Sequence, residues 1–305
     1  MRRYVLKRVL LGIVTFIVVS MIVFIAARLS GDVALLLAPQ EASEEDIQAI
    51  RVQLGLDKPI PVQYYVFMRN SLHGDFGESI RYSQPAMRVI LGRLPATLEL
   101  GSAGFLMSVF LGILFGVFSA TRRDSYLDWG GKIFGMLGQS MPGFWVGIML
   151  ILLFGVELGW LPTSGHGGIK HLILPAFSVG WFSITAVMRL TRSSMLDVLD
   201  SEYIKMARIK GNPERVVVWK HALRNALIPV LGMAGMQLAF LIGGVVIVET
   251  VFRWPGLGSL IAEGVFSRDY SLVQAGVFII SGAIIVINLL VDLTYGIIDP
   301  RIKYE

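Results

Sequence analysis

Few residues in this sequence could do chemistry, and their types narrow it further. The chain has 305 residues, with four histidines and no cysteine. Without cysteine there are no disulfides, thiolate metal sites or thiol nucleophiles. His166 and His171 share one short segment, and imidazole is the commonest metal ligand near neutral pH. Their spacing is not the i, i+4 of a helical ligand pair, and the sequence sets no carboxylate or thiol beside them. These two and His73 are therefore read as solvated loop histidines, with no metal site expected. The sequence contains no G-x-x-x-x-G-K-[ST] phosphate loop and no H-E-x-x-H pair, so no catalytic residues are assigned. Glu99 and Asp292 are the two acids that fall within long apolar runs, each near a run's end. Ion-coupled carriers place such groups near the membrane midplane, which counts against that class and favours a packing or interfacial role for both.

The elements that must position these residues follow from composition. Hydrophobic residues make up 54% and charged residues 16% of the chain, and the mean hydropathy is +0.67. A soluble domain carries about 45–50% apolar and about 25% charged residues, so a water-soluble enzyme is excluded. Apolar runs at 9–27, 98–120, 133–154, 172–188, 227–248 and 273–298 are each suited to a hydrocarbon core about 30 Å thick. They lack the period-two alternation of a membrane barrel. The predicted fold is an all-α polytopic membrane protein with six transmembrane helices. The first run is longer than a cleavable signal core of about 7–15 residues and is read as a retained span.

The segments 1–8, 121–132, 189–225 and 299–305 hold 17 Lys and Arg, against 10 in 28–97, 156–172 and 249–272. Seven of those ten lie in the long segment 28–97, and long loops translocate largely regardless of charge. Both termini are expected in the cytoplasm. Three parts follow: the first helix (1–28), an extracytoplasmic segment with short helices (29–97), and a core of spans 2–6 (98–305) with a cytoplasmic loop at 189–226. In the outer segment, Ser43-Glu44-Glu45-Asp46 has the spacing of a capping box and predicts a helix over 44–54. Gly55, Pro59 and Pro61 break it, and 62–72 suits a second, amphipathic helix at the membrane surface. Gly112 and Gly116 form a GxxxG pair, read as ordinary helix packing.

Two features point to function. Met141-Pro142-Gly143 interrupts the third run, and proline there bends or breaks a helix. Broken helices at membrane depth face protein or a water-filled cavity, so Gln139, Ser140, Met141, Pro142 and Phe144 either line a polar path or mark a buried packing kink. Gln237 in the fifth run is placed on the same path. The second feature is the loop 189–225. It carries a short helix over Glu202–Gly211, ended by Gly211 and Pro213, and a second amphipathic helix over Glu214–Asn225. A short helix projecting between two spans suits a knob that docks in a partner's groove; a basic helix pair resting on anionic lipid is the plainer alternative.

At these residues the sequence resembles the membrane subunits of dipeptide/oligopeptide/nickel-type ABC importers. Their cytoplasmic "EAA" loop is similar to 202–229 here, from Tyr203-Ile204-Lys205-Met206-Ala207-Arg208-Ile209-Lys210-Gly211 to Lys220-His221-Ala222-Leu223-Arg224-Asn225-Ala226-Leu227-Ile228-Pro229. Further matching stretches are Leu54-Gly55-Leu56-Asp57-Lys58-Pro59, Gly74-Asp75-Phe76-Gly77, Arg93-Leu94-Pro95-Ala96-Thr97-Leu98 and Glu249-Thr250-Val251-Phe252-Arg253-Trp254-Pro255-Gly256-Leu257-Gly258. Lys205-Met206-Ala207 stands where the general pattern has Glu-Ala-Ala, a departure usual for the peptide/nickel branch.

The resemblance implies a type I ABC importer permease fold in a prokaryotic cytoplasmic membrane. It also implies four partner subunits besides membrane lipid: a second homologous permease, two cytoplasmic ATP-binding subunits and an extracytoplasmic solute-binding protein. ATP and Mg would be bound by the partner ATPases, with no cofactor in this chain. Glu202, Tyr203, Lys205, Ala207, Arg208 and Gly211 would form the coupling helix, with Lys220, His221 and Arg224 anchoring the helix behind it. Phe252, Trp254, Pro255 and Gly256 would lie at the outer mouth. Peptide is the leading cargo; nickel, a metal chelate, glutathione or an oligosaccharide are alternatives, and a self-sufficient channel or carrier is remoter. The net charge of +5 then reflects membrane orientation and a partner-facing loop, with no nucleic acid implied.

Overall fold

The computed structural model describes residues 2–29, 34–35, 43–53 and 55–298, with side chains described throughout these except at 2–4, 238–244 and 293–298. Leu54 of the quoted motif and the segment 299–305, counted above as cytoplasmic, lie outside the described residues. The chain divides into two compact units, one of residues 1–95 with 256–305 and one of residues 96–255.

The first unit opens with helix α1 (Arg2–Leu29). Helix α2 (Glu44–Gln53) starts where the capping box predicts: Ser43 Oγ accepts from the Asp46 backbone N–H at 3.2 Å, and the Asp46 carboxylate accepts from the Ser43 backbone N–H at 3.0 Å. Gly55, in the left-handed region at φ 65°, ends that turn. Helix α3 (Ile60–Leu72) starts two residues earlier than expected, with Pro59 as its N-cap and a proline in its first turn, where the missing N–H has no intrahelical partner to lose. A minimal hairpin of β1 (Glu78–Ser79) and β2 (Gln84–Pro85) pairs Glu78 with Pro85.

Helix α4 (Ala86–Thr121) follows; its residues to Pro95 belong to this unit and those from Ala96 to the other. Helices α11 (Leu257–Phe266) and α12 (Tyr270–Ile298) complete the first unit. Its core gathers Phe76, Ile90, Leu257, Leu260 and Leu272. Helix α12 lies against α1: Phe16 meets Phe278 edge-on at 4.5 Å, and Arg8 pairs with Asp292 at 3.0 Å. Asp292, expected in a packing or interfacial role, thus has a named cation.

In the second unit the third apolar run is broken into two helices. Helix α5 (Tyr126–Ser140) and α6 (Gly143–Leu150), the latter continuing as a π-helix over Ile151–Glu157, meet at 113°. Pro142 has no N–H to extend α5, and it caps α6 instead. Helix α7 (Ile169–Leu199) carries the unit's densest packing, with fifteen buried residues. The short α8 (Glu202–Ile209) and the single turn α9 (Glu214–Val216) follow. A π-helical stretch, Val217–Ala222, then runs directly into α10 (Leu223–Val251). The loop's second helix, expected to stop at Asn225, therefore continues into the next apolar run through Pro229.

The GxxxG pair is a packing seam. A Cβ on Gly112 would lie 2.6 Å from Val187, and one on Gly116 would lie 2.6 Å from Thr191 and 2.7 Å from the Met188 carbonyl. Gly180 on α7 meets the Gly104 carbonyl at 2.8 Å by the same measure. Small residues let two backbones approach closely where lipid supplies no hydrophobic drive between helices. Among the described residues, four helices are long and apolar enough to cross a membrane: Val5–Leu29, Ala86–Thr121, Ile169–Leu199 and Tyr270–Asp292. The bent pair α5–α6 makes a fifth if counted as one span.

Candidate functional site

Helix α8 is held as a knob by what lies beneath it. Ile204 is fully buried, in a cluster with Val117, Met195, Val217, Val218 and Ala222. Tyr203 and Asn225 join across the loop, with Asn225 Nδ2 donating to Tyr203 Oη at 2.7 Å. The turn after the helix needs Gly211, whose φ is 78°, a conformation costly for a residue with a Cβ. Asn212 Nδ2 closes that turn by donating to the Ala207 carbonyl at 2.9 Å.

Two of the knob's cations are paired with neighbouring carboxylates. Lys205 Nζ donates to Glu202 at 2.8 Å. Arg208 grips Glu214 with both Nε (3.2 Å) and Nη2 (2.8 Å), joining α8 to α9. That bond holds the Glu214 carboxyl below its ordinary range, against a smaller opposing effect of burial. The Arg208 guanidinium is shifted up by the same bond. Three apolar side chains stand outward among these charges: Tyr203 is 44% exposed, Met206 53% and Ile209 78%. Lys220 and Arg224 are exposed and His221 half-buried, while the buried Val217, Val218, Ala222 and Ala226 hold the helix behind α8.

The break between α5 and α6 packs tightly on one side. A Cβ on Gly143 would stand 2.6 Å from the Ser178 carbonyl of α7, and one on Gly138 would stand within bonding distance of the Thr185 side chain. Gln139, Ser140, Pro142 and Phe144 are exposed, Met141 and Gln237 half-buried. Gln139 also lines a cavity of about 580 Å³ with Lys132, Met136, Arg189, Arg192 and Met233. The cavity brings Gln139 together with basic side chains of α7, which sequence spacing did not suggest. Phe144 and Gln237 are not among its lining residues.

The stretch after α10 folds inward. Phe252 and Trp254, which the resemblance sets at the outer mouth, are each 1% exposed, their side chains packed inside the second unit. Trp254 Nε1 donates to the Ala96 carbonyl at 2.8 Å, and the Gly165 N–H donates to the Phe252 carbonyl at 2.9 Å. Arg253 is exposed in the left-handed region at φ 49°. Pro255 is half-buried and Gly256 buried.

Beneath this stretch sits Glu249, fully buried, accepting from Thr97 Oγ1 at 2.7 Å. The sequence placed Glu249 in an outer loop; the apolar residues on both sides of it, Val248 and Val251, were the overlooked signal. His166 was expected without a carboxylate, yet its Nε2 lies 2.9 Å from Glu99 Oε2 and its ring meets Trp254 edge-on at 4.6 Å. A second overlooked acid is Asp128, fully buried, accepting from Arg192 (2.7 and 2.9 Å) and Ser119 (2.6 Å) and paired with Lys132 at 3.0 Å.

Residues 112–304 match the family described as "binding-protein-dependent transport system inner membrane component", and residues 1–101 match the N-terminal domain of such membrane components. A glutathione transport system permease protein of Salmonella typhi is 42% identical over 306 residues, covering all of both chains. A protein of Brucella abortus assigned to a peptide transport system as its permease is 40% identical over 314 residues, again covering all of both. The chain belongs to the family of inner membrane components of binding-protein-dependent transport systems, as a permease subunit of an ABC importer.

Proposed function

We propose that this permease forms half of a pathway for short peptides, driven by partner ATPases that grip α8. A solute-binding protein outside would deliver the cargo, a second permease would complete the pathway, and two ATP-binding subunits would supply the motion. The observation that carries this reading is the crest of Tyr203, Met206 and Ile209 on a helix braced by Ile204 and Gly211. An apolar crest on a pre-formed helix fits helix-in-groove docking, and water is a poor resting place for it. With α10 counted beside the bent pair, the chain has six spans with both termini in the cytoplasm of a prokaryote, and α8 faces the cytosol. Gln139 and the cavity beside α7 support a polar path on the inner side.

Glutathione as cargo is the second reading, favoured by the Salmonella relative's name; it keeps the mechanism unchanged. The test is uptake into proteoliposomes of the complete assembly, comparing labelled dipeptide, tripeptide and glutathione. Peptide uptake that requires ATP supports the proposal. Peptide uptake by this chain without the ATPases, or ATP-driven uptake of glutathione alone, overturns it.

A further inference from the structure

The cavity of about 580 Å³ beside α7 is cationic at one end and apolar at the other. Three contacts show α5 and α7 running antiparallel along it. Lys132 and Arg192 share the carboxylate of Asp128, Gly135 faces Arg189, and Gly138 faces Thr185. Lys132 therefore stands at the rim, next to the turn 122–125 that joins α4 to α5, and Gln139 lies about 10 Å further along the helix. The rim carries the aromatic residues typical of headgroup depth, where Trp and Tyr collect at a membrane surface. Tyr126 and Trp129 are both exposed in the first turn of α5, and Lys132 Nζ lies 5.1 Å from the centre of the Trp129 ring.

Arg189 differs from its two cationic neighbours. It directly follows the apolar run 172–188 and is exposed to the cavity. Its stem lies along α5, with Cγ and Cδ each 3.4 Å from where a Cβ on Gly135 would stand. Among the described residues, no hydrogen bond or ion pair engages its guanidinium. Ionisable groups at membrane depth pair with one another or mark a functional site. Arg192, by contrast, commits Nε and Nη2 to Asp128 and keeps three N–H donors free of it. Lys132 is 3.0 Å from Asp128 and 3.8 Å from Asp124. Three cations against two carboxylates leave one positive charge.

That excess and the shape of the cavity define an occupant. A phosphodiester carries one negative charge and two free oxygens, which match the planar fork of an arginine. A choline or ethanolamine headgroup would return a cation to a wall that has no carboxylate to spare. Asp128 is fully buried, and Asp124 already faces Arg123 and Lys132. Deeper in, Met136 and Met233 line the cavity, and flexible methionine side chains suit an acyl chain. Basic pockets between membrane helices on the cytoplasmic side take anionic lipid headgroups. We propose that this cavity holds one inner-leaflet phospholipid with a monoanionic headgroup, of which phosphatidylglycerol is the simplest. Its phosphodiester lies on Arg189, with Arg192 and Lys132 beside it, a glycerol ester carbonyl is toward Gln139, and a chain runs past Met136 and Met233. The leaflet rests on the orientation proposed above, and the lipid flanks the cargo's path without being carried along it.

The test uses the assembled transporter, stripped of lipid in a non-ionic detergent and titrated with dioctanoyl phosphatidylglycerol or dioctanoyl phosphatidylcholine. Native mass spectrometry counts the lipid bound, and inorganic phosphate and tri-alanine serve as competitors. At the tightest site phosphatidylglycerol should bind about tenfold more strongly than phosphatidylcholine, the worth of one charge-assisted hydrogen bond. Arg189→Gln should weaken phosphatidylglycerol by a similar factor at an unchanged unfolding temperature, since this guanidinium has no partner to lose. Lys170→Gln, at the other end of α7, should leave binding as it is. Equal affinity for the two lipids overturns the proposal, and that comparison needs no variant. So does unchanged binding in Arg189→Gln, or an equal loss in Lys170→Gln. Displacement of the lipid by equimolar phosphate would make this a free-anion site, and displacement by tri-alanine would make it part of the cargo's path; either result overturns the proposal. Binding in detergent does not depend on which face is cytoplasmic, and ATP-driven uptake is measured separately, so failure here leaves the proposed function standing.

Discussion

Trp254 and Asp128 show how single polar contacts fix the second unit. Trp254 donates its indole N–H to the Ala96 carbonyl from a buried position. We expect Trp254→Phe to lower stability by about 1 kcal/mol beyond its packing loss, the usual net worth of a neutral hydrogen bond. Thermal unfolding in detergent checks this, with the exposed Tyr126→Phe as the reference. Asp128→Ala is expected to cost more, about 2 kcal/mol, because it strands Arg192 and Lys132. The figure stays below the ~3–5 kcal/mol of a wholly buried pair because both cations retain some solvent contact. The same unfolding measurement applies, and no change on Asp128→Ala would mean the cations simply turn to water. Neither acid was recognised as buried from sequence. Glu249 follows the fifth apolar run and precedes Arg253 and Pro255, so it reads as loop; Asp128 stands between Arg122, Arg123 and Lys132, so it reads as one charge among several. The partners that reveal their burial are distant in sequence: Thr97 of α4 for Glu249 and Arg192 of α7 for Asp128.

At the scale of elements, the loop helix was legible and its neighbour was not. Gly211 and Pro213 give a local stop that no tertiary contact needs to supply, so 202–211 was placed within two residues of α8. The continuation of α9 through a π-helix into α10 has no comparable local signal, because Pro229 reads as a break when seen alone. Gly211→Val should leave the protein in the membrane and separate ATP hydrolysis from uptake, since a β-branched residue resists positive φ. Uptake per ATP hydrolysed in proteoliposomes is the readout, and an unchanged ratio would exclude a coupling role for this turn.

The Arg208–Glu214 clasp makes the loop sensitive to acid. Glu214 ionises below its reference value of 4.5 in the folded chain, so its stabilisation is present above that value and is lost as pH falls through the folded pKa. Hydrogen exchange at residues 212–217 should be faster in Glu214→Gln than in the parent chain at pH 6. The difference should shrink as the pH is lowered through the folded pKa of Glu214, and a difference that stays constant with pH would show that the clasp does not depend on this ionisation.

For the whole molecule, the orientation inferred from Lys and Arg can be tested directly because there is no native cysteine to remove. Lys210→Cys should react with a membrane-impermeant maleimide only in inside-out vesicles, and Lys58→Cys only in right-side-out ones. Reaction of both from one face would overturn the six-span topology. Composition made the membrane class plain at once, since apolar runs of this length have few other uses. The division of the third run into two helices at 113° was only half visible: Pro142 marked a break, but its angle depends on Gly138 and Gly143 fitting against α7.

The ion pairs on α8 also determine how a partner would experience this helix. Lys205 and Arg208 are paired with Glu202 and Glu214, while Lys210, Arg215, Lys220 and Arg224 remain exposed in the same loop. Salt should therefore change the rate at which a partner is encountered, through screening of those cations, more than the strength of contact through Tyr203, Met206 and Ile209. Temperature would act on the contact itself, since apolar contact weakens on cooling. An assembly joined through this crest should form at a salt-dependent rate and loosen in the cold.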